Sequence, residues 1–325
     1  MTQTLPRHID EFLAESGWAA PQVEPLPGDA SFRRYFRLAH EGRAALLMDA
    51  PPPHEDVRPF LHVAHWLNGQ GMRAPQIYAQ CDERGLVLLE DFGFDRMRDW
   101  LDEHPADEMR VYTAAIDALV ALHQCPPGPF APYDMAVYLR EVALLPEWFC
   151  PQAGIEVDAA GYEAAWREVL APLLDRQAPG VTVLRNYHAE NIMLLADGSQ
   201  GLIDFQDALV GHRAYDLVSL LQDARRDVSE ELEAAMLEHY CQKAGCDEHF
   251  AADYARLGAQ RNAKIVGIFA RLNQRDGKPR YLSLIPRVWA AMERDLAHPA
   301  LAPVARWFDA NIPAEIRANK GKLTA

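Results

Sequence analysis

Basic residues are scarce in this chain: 32 lysines and arginines stand against 47 aspartates and glutamates, a formal net charge of −15 over 325 residues. Nucleic-acid binding needs a Lys/Arg excess to neutralise phosphates, so that class of function is set aside. Cysteine is sparse too. Cys81, Cys125, Cys150, Cys241 and Cys246 are scattered and contain no C-x-x-C pair, which leaves a zinc site or a redox dithiol without a motif. Cys241 and Cys246 can face one another at a helix end, but buried free thiols in a reducing compartment are the expectation for all five. No apolar run approaches the ~20 residues of a membrane span. The opening MTQTLPRHIDEFLAESGW places Asp10, Glu11 and Glu15 where a signal peptide is continuously apolar. A soluble, cytoplasmic protein without membrane or nucleic-acid partners is expected. Internal repeats and low-complexity tracts are also missing, which excludes a solenoid or a disordered hub.

What is present is a change of pattern along the chain. From 23 to 91, short β-like runs alternate with turn residues. Segments 35–39 and 44–48 read as strands joined through His40-Glu41-Gly42 as a hairpin turn. After Pro51-Pro52-Pro53, the apolar positions Val57, Phe60, Leu61, Ala64 and Leu67 recur at helical spacing. A further strand, 86–89, runs into Glu90-Asp91-Phe92-Gly93. Beyond Gly93 long helical patterns dominate, over 107–123, 215–225, 230–242 and 253–272, with two short β-like pieces at 181–184 and 201–203 held in the helical part. The reading is an α+β, bilobal fold: an N-terminal lobe (1–92) with a small antiparallel sheet and one helix, and a larger, mainly helical C-terminal lobe (93–325).

Two segments carry the chemistry, Leu184-Arg185-Asn186-Tyr187-His188-Ala189-Glu190-Asn191 and Leu202-Ile203-Asp204-Phe205-Gln206-Asp207. They resemble the catalytic loop and the metal-binding Asp-Phe segment of the kinase superfamily, so the expected fold is protein-kinase-like. In that template one carboxylate accepts the proton of the acceptor hydroxyl, while an Asn five positions later and an Asp at the end of the next strand hold magnesium against the ATP phosphates. Asn191 and Asp204 are the expected Mg²⁺ ligands, hard oxygen donors of the kind magnesium prefers. The wager is that 186, 191 and 204 converge on one cleft. At the base position the template has Asp and this chain has Asn186, whose amide accepts a hydrogen bond but takes up no proton. Crippled catalysis with retained ligand binding is the expectation.

Gly28-Asp29-Ala30-Ser31-Phe32-Arg33-Arg34-Tyr35 lies where that fold covers the nucleotide phosphates. Ser31, Phe32 and Arg33 are expected to contact ATP, through backbone N–H groups and a guanidinium; a surface turn with solvated arginines is the competing reading. Where a kinase has its phosphate lysine, this chain has Met48, expected near the adenine, with Glu90 and Phe92 in the hinge. Asp216 reads as structural, bracing the catalytic loop from a helix start.

Taken together, the strings GDASFRRYFRL, LLMDAPPP, LLEDFG, LRNYHAENIML, GLIDFQDALVGHRAYDLVSLLQDARRDV and IFARLNQRDGKPRY are similar to the anomeric N-acetylmuramate/N-acetylglucosamine kinases, a branch of the aminoglycoside phosphotransferase superfamily, over nearly the whole chain. That family has Asp where this chain has Asn186, and Met in place of the lysine is part of its pattern. The resemblance implies an enzyme that uses ATP and Mg²⁺ to phosphorylate the C1 hydroxyl of N-acetylmuramate or N-acetylglucosamine in cell-wall recycling; a monomer is the separate expectation. Arg271 and Arg275, read with Lys278 and Arg280 as a basic cluster following a helix, suit the lactyl carboxylate of muramate; solvated surface charge is the alternative. Asp207, Glu147 and Trp148 are further candidates for the sugar pocket, and Trp148 suits the core equally. Other kinases of the same fold, acting on choline, homoserine, a fructosamine or an antibiotic, stay open, as does a nucleotide-binding pseudokinase.

Overall fold

The computed structural model describes residues 7–26 and 32–323. Two compact units divide them. One comprises the chain up to Trp100 together with Asn191–Asp207, the other Leu101–Glu190 and Ala208 onward.

In the first unit the chain runs through α1 (Arg7–Glu15), β1 (Gln22–Pro25), β2 (Arg34–His40), β3 (Arg43–Asp49), α2 (Arg58–Gly69), β4 (Ile77–Cys81) and β5 (Leu86–Leu89). The strands form one antiparallel sheet of order β1-β2-β3-β5-β4. β2 and β3 register from Arg34↔Asp49 to His40↔Arg43. Between them Glu41 and Gly42 both have positive φ, 50° and 76°, the primed turn whose twist matches that of its strands. Alternation then sorts the side chains: Phe36 and Leu38, Ala45 and Leu47, and Leu86 and Leu88 pack with Ile9, Phe12, Leu13 and Trp18 around α1. β5 is buried at all four positions, so it reads as a continuous apolar run.

α3 (Met97–Glu103) follows, then the second unit's α4 (Glu108–Gln124), α5 (Met135–Val142), the short α6 (Cys150–Gln152), α7 (Ala159–Gln177) and β6 (Val181–Val183). The chain next returns to the first unit with β7 (Ile192–Leu194) and β8 (Gln200–Leu202), a hairpin. The sequence placed 201–203 in the helical part. The reason for the difference lies in backbone bonds: Leu194 N donates to Asp95 O and Leu202 N to Arg73 O, both at 2.7 Å. Phe205 then buries its ring against Phe60 of α2, centroids 5.2 Å apart. Burial of a phenylalanine contributes about 1.5–3 kcal/mol.

β9 (Leu209–Gly211) pairs with β6 and leads into α8 (Ala214–Leu221), α9 (Glu230–Ala244), α10 (Phe250–Asp276), α11 (Ile285–Leu296), α12 (Ala302–Asn311) and α13 (Ala314–Ala318). α8 ends at Leu221, short of the expected Arg225, because Asp223 Oδ1 accepts the backbone N–H of Arg225 and breaks the helical run. α10 runs past Leu272 to Asp276, where Gly277 in the left-handed region caps it. Arg275 is therefore a helical residue, as Arg271 already is in the expected helix, and not part of the segment after it. α10 is the buried spine of this unit, packed on α5, α8 and α11.

The cysteine expectation needs a correction. Cys241 and Cys246 form a disulfide, Cα atoms 4.9 Å apart, where Gly245 turns the chain at the end of α9. Cys81, Cys125 and Cys150 are free. Among the described residues no helix is long and apolar enough to cross a membrane.

Candidate functional site

The chemistry-bearing residues fall into two groups, one in each unit. In the first unit the β7–β8 hairpin brings Asn191 and Asp204 together. Asn191 closes the 3-10 turn just before β7 and Asp204 follows β8, and Ile203 N donates to Asn191 O at 3.1 Å, so the two residues flank the hairpin at the same end. Asn191 Nδ2 donates to Asp204 Oδ2 at 3.1 Å, and Gln206 Nε2 donates to Asp204 Oδ1 at 2.9 Å. Asp204 has a φ of +60°, left-handed backbone that Asp tolerates better than most residues. Its carboxyl opens to solvent on one side but is crowded by protein on the others. Burial raises its pKa and Asp207 adds to the rise, while the Gln206 bond, Arg33 and Asn191 oppose it. Asp204, the carbonyl end of the Asn191 amide and Asp207 could offer oxygen donors of the kind Mg²⁺ takes, with its remaining ligands from water and phosphate.

Around them stand the residues expected at the nucleotide. Ser31 lies outside the described residues. Phe32 is exposed and stacks on His54, and its backbone N–H donates to Glu55 Oε1 at 3.0 Å. Arg33 Nε meets Glu55 Oε2 at 3.2 Å, with both side chains mostly buried. Arg34, by contrast, is an exposed side chain bound to the buried Asp49. Tyr35 OH donates to Met48 Sδ at 3.4 Å, and Met48 is fully buried. Burial raises the Tyr35 pKa; Arg33 lowers it and Asp204 raises it, so all three groups act on one another. Glu90 is held by the Arg73 guanidinium in a two-pronged pair and its backbone N–H donates to Gln76 O. Phe92 lies against Arg73 and over Gly201 of β8, where a Cβ would stand 2.8 Å from the ring.

In the second unit Asn186 sits on a loop that is fixed from three sides. Asp216 of α8 accepts the N–H groups of Leu184 and Arg185 at 2.6 and 2.8 Å. Burial pushes its pKa up to about 7, against the pull of those two bonds and of Arg261 and Arg185. Asp223 accepts from Ala189 N at 3.2 Å, and Tyr187 OH donates to Ala115 O at 2.7 Å. Arg185 itself has a φ of +69°, a conformation costing about 1–3 kcal/mol for a residue of this kind. Its guanidinium binds the buried Glu141, which also receives Lys264 Nζ at 2.8 Å and the Tyr133 hydroxyl. Burial alone would raise the Glu141 pKa, but Lys264 and Arg185 outweigh it and hold it at about 2. Among these, Glu141, Lys264 and Asp223 escaped the sequence reading. So did Glu55 and Gln206 in the first unit. The buried-charge rule, applied once partners are known, identifies the four charged ones; Gln206 shows itself only through its bond to Asp204.

Glu147 and Trp148 occupy a π-helical turn, Leu145–Phe149. Glu147 is exposed and Trp148 half-buried. Arg271 stands on α10 close enough to Glu147 to feel its charge, whereas Arg275 is engaged by Asp276 at 2.7 and 2.9 Å. Asp207 is exposed beside Asp204.

Known proteins align with this arrangement. The family described as "Phosphotransferase enzyme family" matches residues 22–259. The N-acetylmuramate/N-acetylglucosamine kinase of Caulobacter vibrioides is 38% identical, covering 94% of this chain and 96% of its own length. That of Pseudomonas aeruginosa is 40% identical over 90% of each. Among solved structures, the choline kinase LicA from Streptococcus pneumoniae superposes with a TM-score of 0.63 at 14% identity, over 91% of this chain and 99% of its own. The ADP-bound aminoglycoside phosphotransferase APH(2'')-Ib gives 0.64 at 13%, over 94% and 99%. At those identities the structural likeness shows the fold alone, and that fold is the expected α+β arrangement of an antiparallel sheet unit with a larger helical unit.

Proposed function

Because the chain belongs to the phosphotransferase enzyme family, as its match over residues 22–259 and its relatives at 38% and 40% identity show, we propose that it transfers the γ-phosphoryl group of ATP to the C1 hydroxyl of N-acetylmuramate or N-acetylglucosamine. The product is the sugar 1-phosphate and the setting cell-wall recycling in the cytoplasm, where ATP is available; the chain acts as a monomer. The observation that carries this reading is the Asn191–Asp204 pair, two oxygen-bearing side chains set 3.1 Å apart by one hairpin in a chain whose relatives are named as kinases of these sugars.

In this scheme the sugar O1 forms a bond to the γ-phosphorus as the bond from that phosphorus to the ADP oxygen breaks. Asp204 and the carbonyl end of the Asn191 amide would hold Mg²⁺, which would supply charge stabilisation to the phosphate oxygens. Asn186 accepts a hydrogen bond from the C1 hydroxyl and orients it, and the proton leaves to water because an amide cannot take it. Arg33 stands in for the missing lysine: Glu55 fixes its guanidinium and Asp204 is near enough for each to shift the other's surroundings. Glu90, Phe92 and Met48 shape the adenine side, while Asp207, Glu147 and Trp148 contact the sugar.

Attachment of phosphate at C1 removes the reducing end of the sugar, whereas attachment at any other hydroxyl leaves it. A reducing-sugar assay run beside ADP release by the Asn186→Asp variant is therefore expected to show one reducing end lost per ADP formed. ADP release with the reducing end intact refutes the C1 assignment, and turnover only with choline or an aminoglycoside refutes the substrate class. Arg33→Ala is expected to raise KM for ATP about tenfold, the loss of one charge-assisted contact, with KM for the sugar little changed. An unaltered KM for ATP would remove Arg33 from the phosphate site.

A further inference from the structure

From Leu257 to Leu272, α10 is buried at every position except Lys264, Ile268 and Arg271. Steps of four and then three residues put these on one face of the helix. The stripe thus carries two cations, and the structure treats them differently. Lys264 Nζ lies 2.8 Å from Glu141 Oε1 and 3.3 Å from Tyr215 OH. Arg271 makes no hydrogen bond or ion pair among the described residues, and its Nε is sealed from solvent without an acceptor. Asp276 is taken up by Arg275, and Glu147 acts on Arg271 only through its field. The two terminal nitrogens of Arg271 are not sealed, and a half-buried guanidinium without an acceptor is costly, so these nitrogens are where an anion from outside can pair with it.

Its surroundings hold Arg271 in place. One turn earlier on α10, Gly267 lets the Leu144 backbone approach so closely that a Cβ would stand 2.3 Å from its carbonyl carbon. Gln152 Nε2 donates both to Trp148 O at 2.9 Å and to Ala270 O at 2.8 Å, tying the π-helical turn to α10 beside the guanidinium. The other end of the stripe is the loop of Asn186, since Lys264 and Arg185 share Glu141. Seven helical residues separate Lys264 from Arg271, about 10 Å along the axis, a span on the scale of one monosaccharide with a substituent.

The two sugars of the proposed reaction differ in one group, the lactyl ether of N-acetylmuramate, which ends in a carboxylate. We propose, on the basis of that reaction, that Arg271 binds this carboxylate and sets the preference between the two sugars. A guanidinium presents the planar fork that matches a carboxylate, and Arg271 is the cation of the expected basic cluster that α10 both orients and leaves uncompensated.

The test compares kcat/KM for both sugars at saturating ATP in the full chain carrying Asn186→Asp, with and without Arg271→Gln. The expected result is a shift of about tenfold or more in the ratio toward N-acetylglucosamine, arising in KM rather than kcat. Arg271→Lys, which keeps the charge, is expected to shift it less. An unchanged ratio, an equal loss on both sugars, or a parent that phosphorylates N-acetylglucosamine alone overturns the role of Arg271 and leaves the proposed function standing. A parent that phosphorylates neither sugar overturns that function and this inference with it.

Discussion

Asn186→Asp is expected to raise kcat for sugar phosphorylation about 10²- to 10⁴-fold, the usual contribution of a positioned general base, with KM for the sugar within about threefold because the two side chains have the same shape. The frame that a base requires is already in place. Asp216 and Asp223 hold the loop's N–H groups, Tyr187 is anchored to Ala115 O, and Glu141 secures the strained Arg185 next door. What position 186 lacks is a group that can accept a proton. The restored carboxylate should also introduce an acidic limb into the pH profile of kcat/KM, absent from the chain with Asn186. Steady-state ADP release across pH measures both effects. A change in kcat below about threefold would show that position 186 does not handle the proton, and would favour a nucleotide-dependent binding module.

Asp204→Asn, introduced beside Asn186→Asp, is expected to lower kcat about 10³-fold. Loss of roughly 4 kcal/mol of charge stabilisation at the phosphates corresponds to that factor. Asparagine also accepts positive φ, so the backbone at +60° is retained. The melting temperature should not fall, because burial and the neighbouring Asp207 both work against the ionised carboxyl in the free protein. Removing that charge takes a penalty away. Calorimetric titration with ATP, with and without Mg²⁺, supplies a second readout: the parent binds the magnesium complex more tightly than free ATP, and the variant loses the difference. A variant that keeps the Mg²⁺ dependence of the parent would show that Asp204 is not a ligand.

How much of this the sequence discloses differs by element. The β2–β3 hairpin, α2, β5 and α4 are legible because each is governed by local pattern: strict alternation, helical periodicity, a Glu41-Gly42 turn with positive φ. Ends of helices are less so. α8 stops where a side chain, Asp223, captures a backbone N–H, and α10 continues until Gly277, outcomes settled by single contacts. The Cys241–Cys246 bond depends on the turn that Gly245 makes and has no signature in spacing alone.

By itself the sequence determined the α+β class and the family, and it offered Asn186, Asn191 and Asp204 as candidates at the spacing of a phosphoryl-transfer loop. The class follows from short-range periodicity, where the chain's covalent geometry leaves little freedom, and the family from the resemblance of motif strings along the chain. Only the tertiary structure decided that the segment from Asn191 to Asp207 joins the first unit through Arg73, Asp95 and Phe60 of α2, that Glu55 rather than solvent faces Arg33, and that Arg275 is neutralised while Arg271 is not. Those are outcomes of burial and charge pairing between segments far apart in the chain, and a charge has no partner in a sequence until the fold supplies one.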